Sequence, residues 1–142
     1  MTRRILVPYD GSPLSERALE HTIEQFSDAS VTTIYVIDPV TSVYDVETGG
    51  LPVAEGWYDD AQERASEIHG AAEQLAGSHD VELTTITVVG QPAREILDYV
   101  SDHDVDQVVM GSHGRKGIGR AFLGSVAETV TRRAPVPVTV VK

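Results

Sequence analysis

Strand-like and helix-like segments alternate along this whole sequence, and the alternation restricts the fold more than any other feature. Apolar runs such as residues 5–7 are continuous, as expected of strands that are covered on both faces. Between the runs, apolar residues recur three and four positions apart, which is typical of amphipathic helices. Strands joined by helices form right-handed crossovers and a parallel sheet. The sequence therefore predicts an α/β fold with five strands, at residues 3–9, 31–37, 81–89, 105–110 and 136–141.

Capping residues and apolar spacing indicate where the helices begin. Ser12 precedes a proline, which is favoured at the first position of a helix because an N–H group has no partner there. A long helix is predicted over residues 57–77, where apolar residues occupy one face and acidic residues the other. Two more helices should begin at Pro92 and at Ser125. Residues 38–56 show no clear period, and such a long connection is often a lid or an interaction surface.

The composition is that of one globular domain without disulfides. The 142 residues suffice for one domain but not for two ordinary ones, and 41% are hydrophobic. No cysteine is present, which favours a cytoplasmic protein. No apolar run approaches the ~18 residues that span a membrane, and the first run is too short for a signal peptide. His69 and His79 lack metal-ligand spacing and are predicted to be solvated surface residues.

Acidic residues outnumber basic ones and give the chain a formal net charge of −11. A surface of this charge repels nucleic acid and anionic lipid, so neither is an expected partner. Lysine is rare, since Lys116 and Lys142 are outnumbered by the arginines. This bias favours a halophilic protein, because the salt of such a cytoplasm screens self-repulsion. An ordinary acidic bacterial protein is the alternative.

A glycine-rich stretch, residues 110–125, joins the fourth strand to the last helix. Glycine lets backbone N–H groups approach a ligand closely, and the start of a helix presents unpaired N–H groups and a partial positive charge. This combination favours a phosphate-binding site. Two alternatives compete with it: Ser125 and Glu128 fit an S-x-x-E capping box, and glycine clusters also occur in loops that bind nothing. Neither the Walker P-loop nor the dinucleotide-binding fingerprint is present.

The spacing Gly111-x2-Gly114-x9-Gly124-Ser125 resembles the nucleotide-binding signature of universal stress proteins, G-x2-G-x9-G-[ST]. Further matches occur in order along the whole chain, at residues 7–12, 36–38, 89–92 and 135–141. Several ordered matches are more specific than one glycine motif. Members of this family that carry the full signature bind ATP, and this chain resembles those members.

The resemblance implies a doubly wound, five-stranded parallel sheet with strand order 3-2-1-4-5 and helices on both faces, similar to the adenine nucleotide α-hydrolase-like fold. In that order, strands one and four are neighbours whose connections leave in opposite directions. Ligands of such sheets bind at this switch point, beyond the carboxyl ends of the strands. Asp10 ends strand one and Gly111 ends strand four, so the two motifs are expected to meet in one crevice.

The resemblance also assigns nucleotide-binding roles to individual residues. The adenine and ribose would lie against Pro8, Tyr9, Asp10, Val36 and Met110. The phosphates would be bound along the glycine-rich stretch, by Gly111, Ser112, His113, Gly114, Arg115, Gly124, Ser125 and Val126. Asp10 would face the ribose or a metal ion, unless it only shapes a turn. Arg115 and Lys116 would pair with phosphate, unless they are solvated loop charges.

ATP, together with Mg²⁺, is the cofactor that the resemblance implies, and the expected role is that of a nucleotide-dependent signalling or stress-response module. A slow ATPase is one alternative, although no base–nucleophile pair is evident and only His113 could orient a water molecule. An interaction protein with a vestigial nucleotide site is another. The resemblance further implies a homodimer through the last strand, residues 136–141, where two prolines indicate an edge.

We predict that the melting temperature of the protein rises as KCl is increased from ~0.1 M to molar concentrations. The added ions screen repulsion among the acidic side chains, which otherwise weakens the compact state. Differential scanning fluorimetry across the salt series measures the effect. A melting temperature that does not change with KCl would contradict the halophilic interpretation.

Overall fold

Strands and helices alternate through the chain as predicted. The computed structural model describes residues 2–40, 56–113 and 123–142. Its elements are β1 (Arg4–Pro8), α1 (Pro13–Gln25), β2 (Ser30–Ile37), α2 (Trp57–Gly77), β3 (Leu83–Val89), α3 (Pro92–Asp102), β4 (Gln107–Gly111), α4 (Ser125–Arg133) and β5 (Val138–Val141). Several strands begin one or two residues later than predicted. Before β3, for example, the N–H group of Val81 donates to the carbonyl of Ala76 and closes the preceding helix instead.

The strands form one parallel sheet in the order β3-β2-β1-β4-β5, as the family resemblance implied. At the centre, Leu6 of β1 lies opposite Thr32 of β2 on one side and Val108 of β4 on the other. The last strand is at an edge of the sheet, so this prediction is also confirmed. The switch point therefore lies between β1 and β4, the two adjacent strands from which the chain leaves in opposite directions.

Helices cover both faces of the sheet, and β1 contributes side chains to a core on each face. Ile5 and Val7 pack with residues of α1 and α2, whereas Leu6 packs with residues of α3 and α4. These three side chains are at most 1% exposed, as expected for a central strand that alternates between two covered faces. The predicted doubly wound α/β fold is confirmed.

His69 is not a solvated surface residue, and the prediction for it was wrong. Its ring meets that of Tyr35 edge to face, with 6.3 Å between centroids, and its Nε2 atom lies 2.6 Å from Thr87 Oγ1. Its Nδ1 atom is buried and has no hydrogen-bond partner among the described residues. Burial lowers the pKa of His69, and the carboxylate of Glu73 opposes this only in part. His79, in contrast, is exposed as predicted.

We predict that acidification from about pH 7.5 to 5.5 destabilises the wild type relative to His69→Gln. Because the pKa of His69 is lower in the folded than in the unfolded chain, the unfolded chain takes up the proton first. The stability is intact above the unfolded pKa of ~6.5 and is progressively lost as the pH falls below it. Melting temperatures of both proteins across this pH range measure the difference.

His79→Gln serves as the matched control, because it removes an exposed histidine from just beyond the end of the same helix. Protonation of the many surface carboxylates affects the wild type and both variants alike. Relative to the wild type, the melting temperature should therefore change with pH in His69→Gln but not in His79→Gln. Parallel behaviour of the two variants would show that the buried ring has no special role.

Candidate functional site

A cavity of about 570 Å³ opens beyond the carboxyl ends of β1, β2 and β4, where ligands of doubly wound sheets bind. Its walls include most of the residues that the resemblance assigned to nucleotide binding: Pro8, Tyr9, Asp10, Val36, Met110, Gly111, His113, Gly124, Ser125 and Val126. Ser112 is not in the wall. Gly114 and Arg115, with Lys116, lie outside the described residues.

Further residues of the cavity wall were not assigned to nucleotide binding from the sequence. They come from the end of β2 and from the starts of α1 and α3, and include Ser12, Ser15, Asp38, Gln91 and Pro92. Each of these positions follows a strand closely or lies in the first turn of a helix. Since the carboxyl ends of parallel strands share one edge of the sheet, the predicted topology contained the signal that would have found them.

Three helices begin at this cavity, and two of them carry a capping side chain and a proline at the N-terminus. In α1, Ser12 Oγ accepts a hydrogen bond from the Ser15 N–H group at 3.3 Å, and proline occupies the first turn. In α3, Gln91 Oε1 accepts from the Arg94 N–H group at 3.1 Å, and proline again occupies the first turn. Capping side chains and prolines both reduce the number of unpaired N–H groups at a helix start.

The third helix, α4, has neither a capping side chain nor a proline. Its N-cap is Gly124, which has φ −63° and ψ 158°, and no described side chain bonds to the first turn. The first bond within the helix runs from Glu128 N–H to the Gly124 carbonyl. The N–H groups of Ser125, Val126 and Ala127 precede that bond, and all three residues line the cavity. The cavity therefore meets one helix N-terminus whose donors are not used by the described residues.

The proposed capping box of Ser125 and Glu128 does not form, because the helix begins one residue earlier than that motif requires. Ser125 is the first residue of α4 rather than its N-cap. The Glu128 side chain pairs instead with Arg132, one turn further along the helix. Both side chains of this pair are exposed, so the pair contributes little to stability.

The glycines at this site are required by packing as well as by any ligand. A Cβ atom on Gly124 would lie 3.0 Å from the carbonyl oxygen of Ser112, to which the Gly124 N–H group donates at 2.6 Å. A Cβ atom on Gly111 would lie 2.9 Å from the Cβ atom of Leu14 in α1. Larger residues at these positions would therefore shift the backbone even with no ligand present.

The end of β2 presents a backbone donor and acceptor to the cavity. The Ile34 carbonyl accepts from the Tyr9 N–H group at 2.9 Å, which fixes the side of β2 that faces β1. The Ile37 carbonyl accepts from Gly90 on the opposite side. Backbone groups alternate between the two sides of a strand, so the N–H and C=O groups of Val36 point the same way as those of Ile34. The last β1–β2 pair is Pro8–Ile34, so the N–H and C=O groups of Val36 lie beyond the region in which β2 pairs with β1.

Polar side chains complete the cavity. Asp10 Oδ1 accepts from the Ser12 N–H group at 2.9 Å, and Asp38 Oδ1 accepts from Val40 N–H at 3.0 Å. Both carboxylates are therefore fixed at the carboxyl ends of neighbouring strands. The Nδ1 atom of His113 is buried without a hydrogen-bond partner in the described ranges. An unsatisfied buried nitrogen favours a polar ligand beside it.

The family model of the universal stress protein family matches residues 1–142. This chain belongs to the universal stress protein family. The resemblance carried by the glycine motif and the ordered matches is thereby confirmed.

Individual relatives share both sequence and fold with this universal stress protein. Universal stress protein MJ0531 of Methanocaldococcus jannaschii is 36% identical over 146 residues, which cover 99% of this chain and 82% of the relative. The solved structure of MJ0577, from the same archaeon, has a TM-score of 0.78 at 31% identity and covers 100% of this chain and 96% of that one. A universal stress protein in complex with cAMP has a TM-score of 0.72 at 23% identity, covers 99% and 97%, and shows the shared fold.

Neither a ready-made metal site nor a membrane-spanning helix occurs among the described residues of this universal stress protein. No group of three or more of their histidine, aspartate and glutamate side chains lies close enough together to hold a metal ion by itself. None of the described helices is long and apolar enough to cross a membrane.

Proposed function

We propose that this universal stress protein binds ATP in the cavity at the switch point, and that the bound nucleotide sets the conformation or partner of a stress-response module. The observation that carries the proposal is the uncapped N-terminus of α4. Its three N–H groups ahead of the first helical bond lie at the cavity, and an anion is the ligand that such groups favour.

The phosphates are assigned to α4 because the three helix N-termini at the cavity differ. Those of α1 and α3 already have side-chain acceptors, from Ser12 and Gln91. A phosphate would be stabilised most at α4, where the N–H groups of Ser125 and Val126 can donate hydrogen bonds to it without competition from a capping side chain. The Ser125 hydroxyl and the ring of His113 are further donors on the same wall.

The adenine is assigned to the end of β2. The Watson–Crick edge of adenine has an acceptor, N1, beside a donor, the N6 amino group, and the N–H and C=O groups of Val36 match this pair. Guanine has a donor and an acceptor in the reverse order at the corresponding positions, so it leaves both backbone groups unsatisfied. Pro8 and Met110 line the same cavity and supply apolar surface for the base.

Asp10 lies between these two ends of the cavity and is the natural partner of the ribose or of Mg²⁺. A single carboxylate suffices for this metal, which is usually held by one or two carboxylates together with the phosphates of the nucleotide. The relative solved with cAMP supports an adenine nucleotide as the ligand of this fold. Binding without an evident base–nucleophile pair favours a module that responds to nucleotide over one that turns it over.

We also propose a homodimer through the outer edge of β5. β5 ends the sheet, and Val138–Val141 has no strand on its outer side within the described residues. Val140 is only half-buried, although its Cα atom lies opposite the buried Met110 of β4. Pairing of two β5 strands about a two-fold axis would satisfy the exposed backbone and cover this valine.

Ser125→Pro should weaken ATP binding roughly tenfold or more, the effect of losing one hydrogen bond to a charged group, and Ser125→Ala should weaken it less. Proline at the first helical position removes the N–H group and is compatible with a helix, as α1 and α3 illustrate. The extended backbone of Gly124 suits a residue that precedes proline. Alanine removes only the hydroxyl. Calorimetric titration of folded, nucleotide-free protein with Mg-ATP measures both effects.

GTP is the control ligand, and it should bind at least tenfold more weakly than ATP to the wild type if Val36 reads the base. Equal affinities of the proline and alanine variants for ATP would contradict a backbone donor at α4. Absence of ATP binding by the wild type would favour an interaction protein with a vestigial site.

Val140→Asp should convert the dimer to a monomer, because it places two carboxylates near the two-fold axis of the proposed interface. Analytical ultracentrifugation at tens of micromolar protein measures the change. Thr84→Asp is the matched control, since it adds the same charge to the opposite edge strand, β3, at an exposed position. A monomeric wild type would overturn the proposed interface, and so would dissociation by both variants.

A further inference from the structure

A second cavity, separate from the nucleotide site, lies between α1 and α2 on one face of the sheet. It has a volume of about 350 Å³ and is lined by Tyr9, Glu16, Glu20, Ala71, Gln74, Leu75 and Ser78. We call it the α1–α2 groove. Its walls combine two carboxylates from α1 with an apolar strip from α2, and its floor is an aromatic ring.

The floor is the side chain of Tyr9. Side chains of β1 alternate, so Tyr9 shares the face of Ile5 and Val7, which is the face covered by α1 and α2. The ring is therefore the part of Tyr9 that lines the groove, whereas its backbone borders the nucleotide cavity. The residue is only 3% exposed, and no described residue forms a hydrogen bond with its hydroxyl group.

The Tyr9 hydroxyl oxygen is not one of the fully buried, unsatisfied atoms of the described residues, so it reaches the solvent of the groove and is open to a donor there. Burial, reinforced by the carboxylates of Glu16, Asp10 and Glu20, raises the pKa of Tyr9 to about 12. The hydroxyl therefore stays neutral at physiological pH and offers its oxygen as an acceptor. Tyr9 lines the same cavity as Glu16 and Glu20, so its hydroxyl lies beside the acidic wall.

The acidic wall has a defined spacing. Glu16 and Glu20 are four residues apart in α1, so their side chains lie on one face about one turn, ~5.4 Å, apart along the helix axis. Neither glutamate forms an ion pair with another described residue. Ala71 and Leu75, also four residues apart, form the facing apolar strip on α2.

We propose that the α1–α2 groove binds a small aliphatic diamine or polyamine. One ammonium group would donate to the Tyr9 hydroxyl oxygen and pair with Glu16, the next would pair with Glu20, and the methylene chain between them would lie on Ala71 and Leu75. A cation with two ammonium groups and an apolar stem matches both walls, whereas a metal ion would match only the acidic one. The site is independent of the proposed nucleotide function.

Putrescine, an aliphatic diamine, is the probe, and calorimetry at the lowest KCl concentration that keeps the protein folded is the measurement. The wild type should bind putrescine, and Tyr9→Phe, which removes only the hydroxyl, should weaken binding about tenfold. The double variant Glu16→Gln/Glu20→Gln should weaken it further. Butylamine, which has one ammonium group on the same stem, should bind at least tenfold more weakly than putrescine.

Nonspecific attraction to the acidic surface is tested by Glu24→Gln/Glu67→Gln, which removes the same charge from exposed positions of α1 and α2 outside the groove. This control should bind putrescine like the wild type. Equal weakening by the two double variants, or no binding by the wild type, would overturn the proposal. NMR spectra of protein with isotope-labelled tyrosine give a second readout. The ring signal of Tyr9 is the one that is absent from the spectrum of Tyr9→Phe, and it should shift as putrescine is added. An unshifted signal would also overturn it.

Discussion

The structure depends on β1 lying between β2 and β4 with both faces covered. Leu6 and Val7, which point to opposite faces, are both fully buried, so the strand can occupy only the centre of the sheet. That position places the chain reversal next to β1, where two connections leave in opposite directions and open a crevice. Because β2 continues beyond the last residue of β1 that pairs with it, the crevice receives backbone groups as well as side chains.

Three helices start at this crevice, and they differ in their N-terminal residues. Proline and a capping side chain reduce the donor capacity of α1 and α3. The start of α4 lacks both and is held by the short contact between Gly124 and the Ser112 carbonyl. Among the described helix starts at the crevice, only that of α4 thus keeps its N–H donors unused. A bound anion would therefore lie towards the N-terminus of α4.

Periodicity and capping were enough to predict the elements along the chain, because these depend on local pattern. The strand order and most of the cavity wall came instead from the family resemblance. The cap of α4 was not predictable, since S-x-x-E fits both the observed start at Ser125 and a start one residue later. The tight approach of Gly124 to a neighbouring backbone decides it. His69 was misjudged although its spacing from Ala65 and Ala72 places it beside the buried face of α2. The nucleotide-binding roles of all the wall residues remain predictions, and Gly114 and Arg115 lie outside the described residues.

In the proposed nucleotide site, the recognition groups are largely main-chain atoms, namely the N–H groups of the first turn of α4 and the N–H and C=O groups at Val36. Main-chain atoms are present whatever side chain is attached. Random substitution at these positions would therefore alter the lining of the crevice while leaving its pattern of donors and acceptors in place, except where proline or a bulky replacement for glycine disturbs the backbone. Recognition built in this way can persist while the sequence around it diverges, so low identity between two members is poor evidence that their ligands differ.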